Sequence, residues 1–411
     1  MTRVQRWFAT ALLLVSGVSA AHDVPPQVTQ FVASADGSIR LAGATFGALI
    51  NRPPSSQFSW VCEEAIGFKN SDSPVWAVTN SGAMFSAALT GLYVSRDSGC
   101  RWAPHPQVTT SGASDIIQVG AALLLTTARF SAANGTWRSV DDGLTWQLLG
   151  STSTTEFYSG LRSAPSRPQR LYVSAWYYQP ASNGLLKSDD SGATFERVTL
   201  TSLLPATGAF RVLVVDPDDA DTLYATVSND DINLRSWLLR SADGGRTFST
   251  VTSVLGRITS AAISGSKLLV AAADRLYAFN RSPPFAEAIA PLPSAQACVS
   301  SVGSKTFVCA DAAIDGFALA EWSGEPTPAV LRWPQITGPL ECPADSPVTT
   351  TCASVWSTQR IQLGLATQPA VGAVDNELGP AGRSCSTAPA FQWWAFAFVG
   401  SALRRRRLQR R

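Results

Sequence analysis

The sequence predicts an all-β fold, a β-propeller of seven four-stranded blades, with six or eight blades as alternatives. Three observations lead to this prediction. A motif of the form Ser-x-Asp-x-Gly-x-Thr-aromatic occurs four times, once with Arg101 in the Thr position. Its aspartates, Asp97, Asp141, Asp190 and Asp243, are 44, 49 and 53 residues apart. Short strand-like segments lie between the copies, as the repeating blades of a propeller require.

Each copy of the motif has the chemistry of a tight turn. The Asp side chain can accept hydrogen bonds from backbone N–H groups, and the Gly tolerates a positive φ that a Cβ would resist. The aromatic ring can anchor the turn by burial. We therefore expect structural roles here, not metal binding or catalysis. The four copies contain Ser95, Asp97, Gly99 and Trp102; Ser139, Asp141, Gly143 and Trp146; Ser188, Asp190, Gly192 and Phe195; and Ser241, Asp243, Gly245 and Phe248.

The remaining blades are assigned from strand-like runs that lack the motif. A first, degenerate blade is predicted from residues 39–44 and 58–61, ahead of the four blades that close at the motifs. Residues 268–272 and 276–279 predict a sixth blade, and residues 306–309 and 317–322 predict a seventh.

The repeated motif resembles the Asp-box of sialidase-type and sortilin-type β-propellers. The resemblance implies the fold, but its catalytic residues are not matched. A sialidase would need an arginine triad, a Tyr nucleophile with a Glu partner, and an Asp acid. The nearest text to the family's first arginine motif is Phe210-Arg211-Val212-Leu213, which lacks the Pro. No Glu partner can be assigned to Tyr158, Tyr177 or Tyr178.

The two ends of the chain predict export and membrane attachment. Residues 1–20 read as a signal peptide, with Arg3 and Arg6 before an apolar run. The propeller is expected over 21–363, a Gly/Pro-rich linker over 364–387, and a hydrophobic segment with an Arg-rich tail over 388–411. Cys385 and this tail resemble the sorting signal of myxobacterial surface proteins, which implies processing and lipid attachment at Cys385. A plain membrane anchor is the alternative.

Composition narrows the classes of function. The formal net charge of +2 is due to six arginines among the last eight residues, so the body of the chain is slightly acidic. No nucleic-acid surface is therefore expected. With two histidines, His22 and His105, the chain has little material for histidine-based catalysis or metal sites. We expect no metal, no cofactor and a monomer.

The six cysteines other than Cys385 predict disulfides, because their number is even and the chain is exported. These residues are Cys62, Cys100, Cys298, Cys309, Cys342 and Cys352. Proximity along the chain favours the pairs Cys298–Cys309 and Cys342–Cys352, which leaves Cys62–Cys100 to join the first two blades.

A glycosidase with two carboxylates facing each other across a cleft is the main enzymatic alternative. Candidate acids are present, but no spacing singles out a pair; they include Asp115, Asp230, Asp231, Asp311 and Asp315. The cluster Asp216, Asp218, Asp219 and Asp221 does not follow the ligand order of an EF-hand loop, so exposed turn carboxylates are expected there rather than calcium ligands.

The segment Trp176-Tyr177-Tyr178 supplies the candidate ligand-binding residues. It is predicted to follow a strand and to precede a loop within the fourth blade, where aromatic rings can stack on a sugar or a peptide. Packing within the sheet is the alternative. We therefore predict a non-catalytic binding module for a glycan or protein at the cell surface. The other candidates are a glycoside hydrolase and an envelope assembly scaffold, by analogy with sortilin-type and photosystem-assembly propellers.

Overall fold

Seven small antiparallel sheets form the ring of a β-propeller. The computed structural model describes residues 25–366, except for 69–72, 109–111, 131, 178–181, 201–203, 206–207, 230–233, 274, 286, 290–297 and 325. Each blade consists of four strands that are consecutive in the chain, and one of the sheets has a fifth strand from the C-terminal segment. The prediction of seven blades is thereby confirmed.

Blades 1 to 4 contain strands β1 to β16. Blade 1 contains β1 (Val28–Ala33), β2 (Arg40–Ala44), β3 (Gly47–Asn51) and β4 (Phe58–Val61). Blade 2 contains β5 (Val75–Val78), β6 (Met84–Ala88), β7 (Gly91–Ser95) and β8 (Ala103–Pro104). Blade 3 contains β9 (Ala113–Val119), β10 (Ala122–Thr127), β11 (Asn134–Ser139) and β12 (Gln147–Ser153). Blade 4 contains β13 (Glu156–Ala164), β14 (Arg167–Tyr177), β15 (Ser182–Ser188) and β16 (Glu196–Thr199).

Blades 5 to 7 contain strands β17 to β28. Blade 5 contains β17 (Arg211–Val215), β18 (Leu223–Ser228), β19 (Arg235–Ser241) and β20 (Ser249–Leu255). Blade 6 contains β21 (Ile258–Ser264), β22 (Lys267–Ala272), β23 (Leu276–Asn280) and β24 (Glu287–Ile289). Blade 7 contains β25 (Val299–Val302), β26 (Lys305–Cys309), β27 (Leu319–Trp322) and β28 (Pro326–Leu331).

The first strand of every blade lies at the centre of the ring, where it contacts the first strands of both neighbours, and β25 contacts β1. Side chains cross these junctions to reach backbone groups. The Gln30 carboxamide accepts a hydrogen bond from Trp76 N at 2.8 Å, and Ser300 Oγ accepts one from Phe31 N at 3.1 Å, which joins blade 7 to blade 1. Apolar residues fill the spaces between blades; Leu124 of blade 3, for example, packs with Leu161 of blade 4. The core therefore lies between the sheets.

The segment after blade 7 returns to blade 1. A 3₁₀ turn (Trp333–Gln335) leads to β29 (Ile336–Pro339), which pairs in parallel with β4 as a fifth strand of that sheet. A π-helical turn (Val348–Cys352) and α2 (Ala353–Gln362) follow. The short α1 (Glu63–Ile66) follows β4.

Three disulfides are present, and two of the predicted pairings are wrong. Cys298–Cys309 is confirmed, but Cys62 pairs with Cys352 and Cys100 pairs with Cys342. The physical reason is the return of the C-terminal segment to blade 1, which places it beside cysteines more than 200 residues earlier in the chain. Disulfides of this kind are typical of an oxidising compartment.

Among the described residues, no helix is both long and apolar enough to cross a membrane. The predicted signal peptide, Cys385 and the tail over 388–411 lie outside the described residues.

Candidate functional site

The propeller has two ends with different connections, because strand direction alternates within each blade. We name the end that carries the first-to-second and third-to-fourth connections the turn face, and the opposite end the loop face. Each repeated motif links a third strand to a fourth, so all four motifs lie on the turn face, one in each of blades 2 to 5. They are spread around the ring and do not converge on a common site.

Hydrogen bonds within the motif hold the chain in a tight turn. In blade 3, Ser139 Oγ donates to Asp141 at 2.7 Å and accepts from Gly143 N at 2.8 Å. The Asp141 carboxylate accepts from Thr145 N at 2.9 Å and from Thr145 Oγ1 at 2.5 Å. These bonds hold the pKa of Asp141 below its usual range. The Asp141 carboxylate is therefore used to stabilise the turn. The motifs of blades 4 and 5 have the same bonds.

The motif glycines have positive φ and pack against the preceding blade. Gly245 has φ +87°, and a Cβ on it would lie 2.1 Å from Cδ2 of Leu185 in blade 4. A Cβ on Gly143 would lie 2.5 Å from the Phe85 ring of blade 2. The glycine thus permits both the turn and the close approach of neighbouring blades.

The candidate ligand-binding residues lie at the loop face of blade 4, and their predicted location in a loop needs correction. Trp176 and Tyr177 are the last two residues of β14, paired with Asn183 and Ser182 of β15. The regular hairpin continues further than the sequence suggested, because Ser182 extends β15. Both aromatic side chains are half-buried, so each keeps some exposed ring area. Tyr178 lies outside the described residues.

An arginine from the outer strand of blade 4 reaches across the sheet to Tyr177. The Arg197 guanidinium carbon lies 4.5 Å from the centre of the Tyr177 ring, in cation–π geometry. Its NH2 is 2.5 Å from the carboxylate of Glu156, which is on the innermost strand. Gly184 lies beneath it, and a Cβ there would be 3.1 Å from Arg197 NH1. Because Gly184 has no side chain, Arg197 has room to cross the blade at this position.

Glu156 also has a second partner, Tyr158, whose hydroxyl donates to the same carboxylate oxygen at 2.6 Å. This contact supplies the Tyr–Glu pair that could not be assigned from the sequence. The pair is not placed for nucleophilic attack, since Tyr158 is only 5% exposed and packs between blades 3 and 4. Burial, followed by the contact with Glu156, raises the pKa of Tyr158 well above its usual value. Tyr158 instead holds the Glu156 carboxylate in place through this hydrogen bond.

Trp176 belongs to a chain of aromatic contacts that reaches the neighbouring blade. Trp176 lies 5.5 Å, ring centre to ring centre, from Phe157, and Phe157 lies 4.6 Å from Phe130 of blade 3. Rings at these separations and tilts are in favourable aromatic contact. The loop face of blade 4 therefore presents Trp176 and Tyr177 on a base of Phe157 and Arg197. We name these four residues the aromatic platform.

A second charged cluster joins the inner strands of blades 3, 4 and 5. Arg162 donates to the Asp115 carboxylate at 3.0 Å, and Arg211 approaches it at 3.8 Å. Asp115 is 1% exposed and also accepts from Leu161 N at 3.2 Å. A bulge at Gly160 (φ +57°) directs that N–H towards it. Burial lowers the pKa of Arg211, although Asp115 opposes the shift. These arginines hold a carboxylate of the chain itself, so they act as a brace between blades.

The aspartates between β17 and β18 also have local partners. Asp216 accepts from the backbone of Asp218 and Asp219 at 2.9 and 3.1 Å and forms a bidentate ion pair with Arg281 of blade 6. Asp221 pairs with Arg170. Within the described residues, no group of three or more potential metal ligands comes together.

The remaining candidate acids that the structure describes, Asp311 and Asp315, lie together in one local connection. Asp311 and Asp315 stabilise the connection from β26 to β27, where Asp315 accepts from Asp311 N at 3.2 Å and Asp311 accepts from Ala313 N at 2.9 Å. Asp230 and Asp231 lie outside the described residues.

Sequence reasoning missed Arg197, Glu156 and Gly184. Arg197 and Glu156 are 41 residues apart and on opposite edges of one blade, and the register of four strands decides that they meet. The one local signal was Gly184 within a strand, a position where a close approach is common.

Known structures resemble this one in fold. A GH74 enzyme of Niastella koreensis superposes with a TM-score of 0.51 at 14% identity, over 77% of this chain and 53% of that enzyme. An ancestral GH74 enzyme gives 0.51 at 15% identity, over 78% and 48%. The Hadza microbial sialidase Hz136 gives 0.41 at 13% identity, over 61% and 63%. The chain thus spans about half the length of the GH74 structures, and at 14–15% identity the likeness to these two shows the propeller fold alone.

No protein-family model and no curated protein sequence matches the chain.

Proposed function

We propose that this protein is an exported, membrane-attached propeller that binds a glycan without cleaving it, through the aromatic platform of blade 4. One observation carries the proposal, the half-buried pair Trp176 and Tyr177 with Arg197 stacked on the tyrosine. A sugar ring has an apolar C–H face that packs on an aromatic ring, while its hydroxyls accept from a guanidinium. Fixed strands hold both groups, so little ordering is needed on binding.

The state of the carboxylates supports binding rather than hydrolysis. A glycosidase needs a carboxylic acid whose pKa is raised so that it can protonate the leaving group. Within the described part of the chain, every aspartate with a resolved shift has its pKa lowered; these are Asp36, Asp141, Asp189, Asp190, Asp216 and Asp243. Asp115 and Glu156 are each held by arginine. Both carboxylates are therefore engaged by ion pairs within the chain itself.

The location is part of the proposal. The three disulfides agree with an oxidising compartment, and residues 1–20 read as an export signal. We include the Asp-box identity of the four turns and the processing of the tail at Cys385 as elements of the proposal. We also propose that the protein acts as a monomer without a cofactor.

Substitution on the aromatic platform tests the proposed site. We expect Trp176→Ala and Tyr177→Ala each to weaken binding to a glycan selected from a broad array by about tenfold, as loss of a central aromatic contact does at interfaces. Tyr277→Ala is the matched control, since Tyr277 is a half-buried tyrosine on a strand of blade 6. Titration by calorimetry gives the affinities. Equal affinities for wild type and both platform variants would place the ligand elsewhere.

A further inference from the structure

Two neighbouring spaces between blades differ on the turn face. Between blades 4 and 5, the Tyr172 hydroxyl donates to Ala220 O at 2.7 Å, and Lys187 lies opposite Tyr172 on the adjacent strand. The Lys187 ammonium has a partner in Asp189 at 3.8 Å. Gly244, in the turn of blade 5, covers this position; a Cβ on it would lie 3.1 Å from Lys187 Nζ. This space is filled and its charge is paired.

The corresponding space between blades 5 and 6 has the same framework without a glycine turn above it; the Arg240 guanidinium carbon instead lies 6.0 Å from the centre of the Phe285 ring. The Tyr224 hydroxyl donates to Arg281 O, and Arg240 lies opposite Tyr224 as Lys187 lies opposite Tyr172. Two residues after Arg240 the chain has Ala242, where blade 4 has Asp189. Arg240 Nε is buried and has no hydrogen-bond partner among the described residues, and its NH2 has a long bond of 3.4 Å to Thr222.

A pocket of about 580 Å³ opens beside Arg240, because blade 6 has a Pro-containing turn in place of the repeated motif. Its wall on the blade 5 side includes Asp218, Asp219 and Thr222, and on the blade 6 side Asn280 and the turn at 282–284. The volume lies within the range of about 300–1,000 Å³ that is usual for small-molecule sites.

The chemistry of the walls selects the ligand class. Three aspartates and two arginines line the pocket, so the lining charge is −1 and an anion is disfavoured. Arg281 is occupied by Asp216 and Asp218, whereas Arg240 has no carboxylate partner among the described residues and its buried Nε is unsatisfied. A ligand that accepts from Arg240, donates to carboxylates and places C–H groups on Pro283 and Pro284 is a neutral polyol ring.

We propose that the pocket between blades 5 and 6 is a binding site for a neutral sugar ring, with Arg240 as its principal hydrogen-bond donor. The site lies on the turn face, at the opposite end of the propeller from the aromatic platform, and it does not depend on the proposed function. A protein with both sites would hold one glycan at each end.

Side-chain NMR tests the proposal on the full-length oxidised protein. The probes are methyl β-glucoside, methyl β-galactoside and methyl α-mannoside, with sodium acetate as the anionic comparison. We expect at least one glycoside to shift the Arg240 Nε–H signal and to bind at millimolar concentration. Arg240→Gln should weaken that binding at least about tenfold, because a charge-assisted hydrogen bond is lost. Asp218→Asn, at a largely exposed side chain, should weaken it at least about threefold.

Arg246→Gln is the control, since Arg246 is exposed on the same face and carries the same charge. Its affinity should equal that of the wild type. An Arg240 signal unchanged by every glycoside would overturn the proposal, and so would a signal shifted by acetate alone. Glycoside binding that survives Arg240→Gln but is lost in Tyr177→Ala would assign the sugar to the aromatic platform and remove this site. If both sites are real, Tyr177→Ala leaves the Arg240 shift intact.

Discussion

The side chains of the repeated turns act almost entirely on their immediate neighbours in sequence. That is why their roles could be read from the motif: the donors to each Asp are two to four residues away. The variant copy in blade 2 shows what the motif does not reveal. Arg101 replaces Thr there, lies 3.6 Å from Asp97, and pairs with Asp345 of the C-terminal segment at 2.6 Å. The departure from the pattern thus marks a contact 244 residues away.

The lowered pKa values of the turn aspartates predict that part of the free energy of unfolding is lost in acid. Hydrogen bonds from Thr194 and Ser188 lower the pKa of Asp190 to about 2, from 3.8 for the free side chain. Burial acts to raise the pKa of Asp243, but hydrogen bonds from Thr247 outweigh it and lower that pKa to about 2. The unfolded state therefore takes up protons first as the pH falls. The stabilisation that these two carboxylates contribute to the folded state is therefore complete above about pH 4 and is lost as the pH falls through about 2.

Thr194→Val and Thr247→Val together should reduce the change in unfolding free energy between pH 4 and pH 2.5, measured in urea. Thr29→Val is the control, because Thr29 donates to a backbone carbonyl and not to a carboxylate. Its effect should be the same at both pH values. A double variant with the pH dependence of the wild type would contradict the role given to these hydroxyls.

A comparison of a motif glycine with a glycine in an open hairpin turn separates the cost of backbone strain from the cost of a steric contact. Gly265→Ala, at φ +56° with open space around it, should cost about 1 kcal/mol of unfolding free energy from backbone strain alone. Gly245→Ala adds a collision with Leu185 and should cost about 3 kcal/mol. Urea unfolding of the two variants provides the comparison. Equal losses would show that the glycine is needed only for its φ.

Among the strands and helices, the C-terminal segment was least accessible from sequence. β29 adds to blade 1, and the Trp356 ring of α2 lies 5.3 Å from Trp60 of β4. Its sequence has neither the motif nor an alternating strand pattern, so proximity along the chain was the sole guide to its cysteines, and that guide failed twice. Short-range pairing could be predicted; pairing across the closed ring required the fold.

Removal of both long-range disulfides should release α2 while the ring stays folded. Substitution of the four cysteines Cys62, Cys100, Cys342 and Cys352 by Ser is expected to raise amide exchange in α2 at least about tenfold, because the segment then opens locally. Either pair alone should suffice to hold it.

The control is Cys298→Ser with Cys309→Ser, a bridge that spans 11 residues within blade 7 and its lead-in. It should leave exchange in α2 unchanged. Slow exchange in α2 after all four substitutions would show that packing, not the disulfides, holds the segment.

For the propeller as a whole, the repeat predicted the architecture because each blade is a four-stranded sheet that packs between two similar neighbours. The aromatic platform followed only in part. Trp176 and Tyr177 could be named from composition and position, but Arg197 and Glu156 depend on the register of an entire blade and on Gly184. The interblade pocket beside Arg240 depends on how two consecutive turns differ. Neither site has a spacing along the sequence that would reveal it.

The central claim, that the propeller binds a glycan and leaves it intact, is tested most directly by one measurement with two readouts. The purified protein is incubated with a broad panel of glycans, and bound glycan and newly released reducing ends are recorded in the same samples. The account predicts saturable binding to at least one glycan with no reducing ends above the protein-free control. Release of reducing ends that scales with protein concentration would contradict it and would identify the protein as a glycoside hydrolase. Absence of binding to every glycan would equally contradict it and would favour a protein partner.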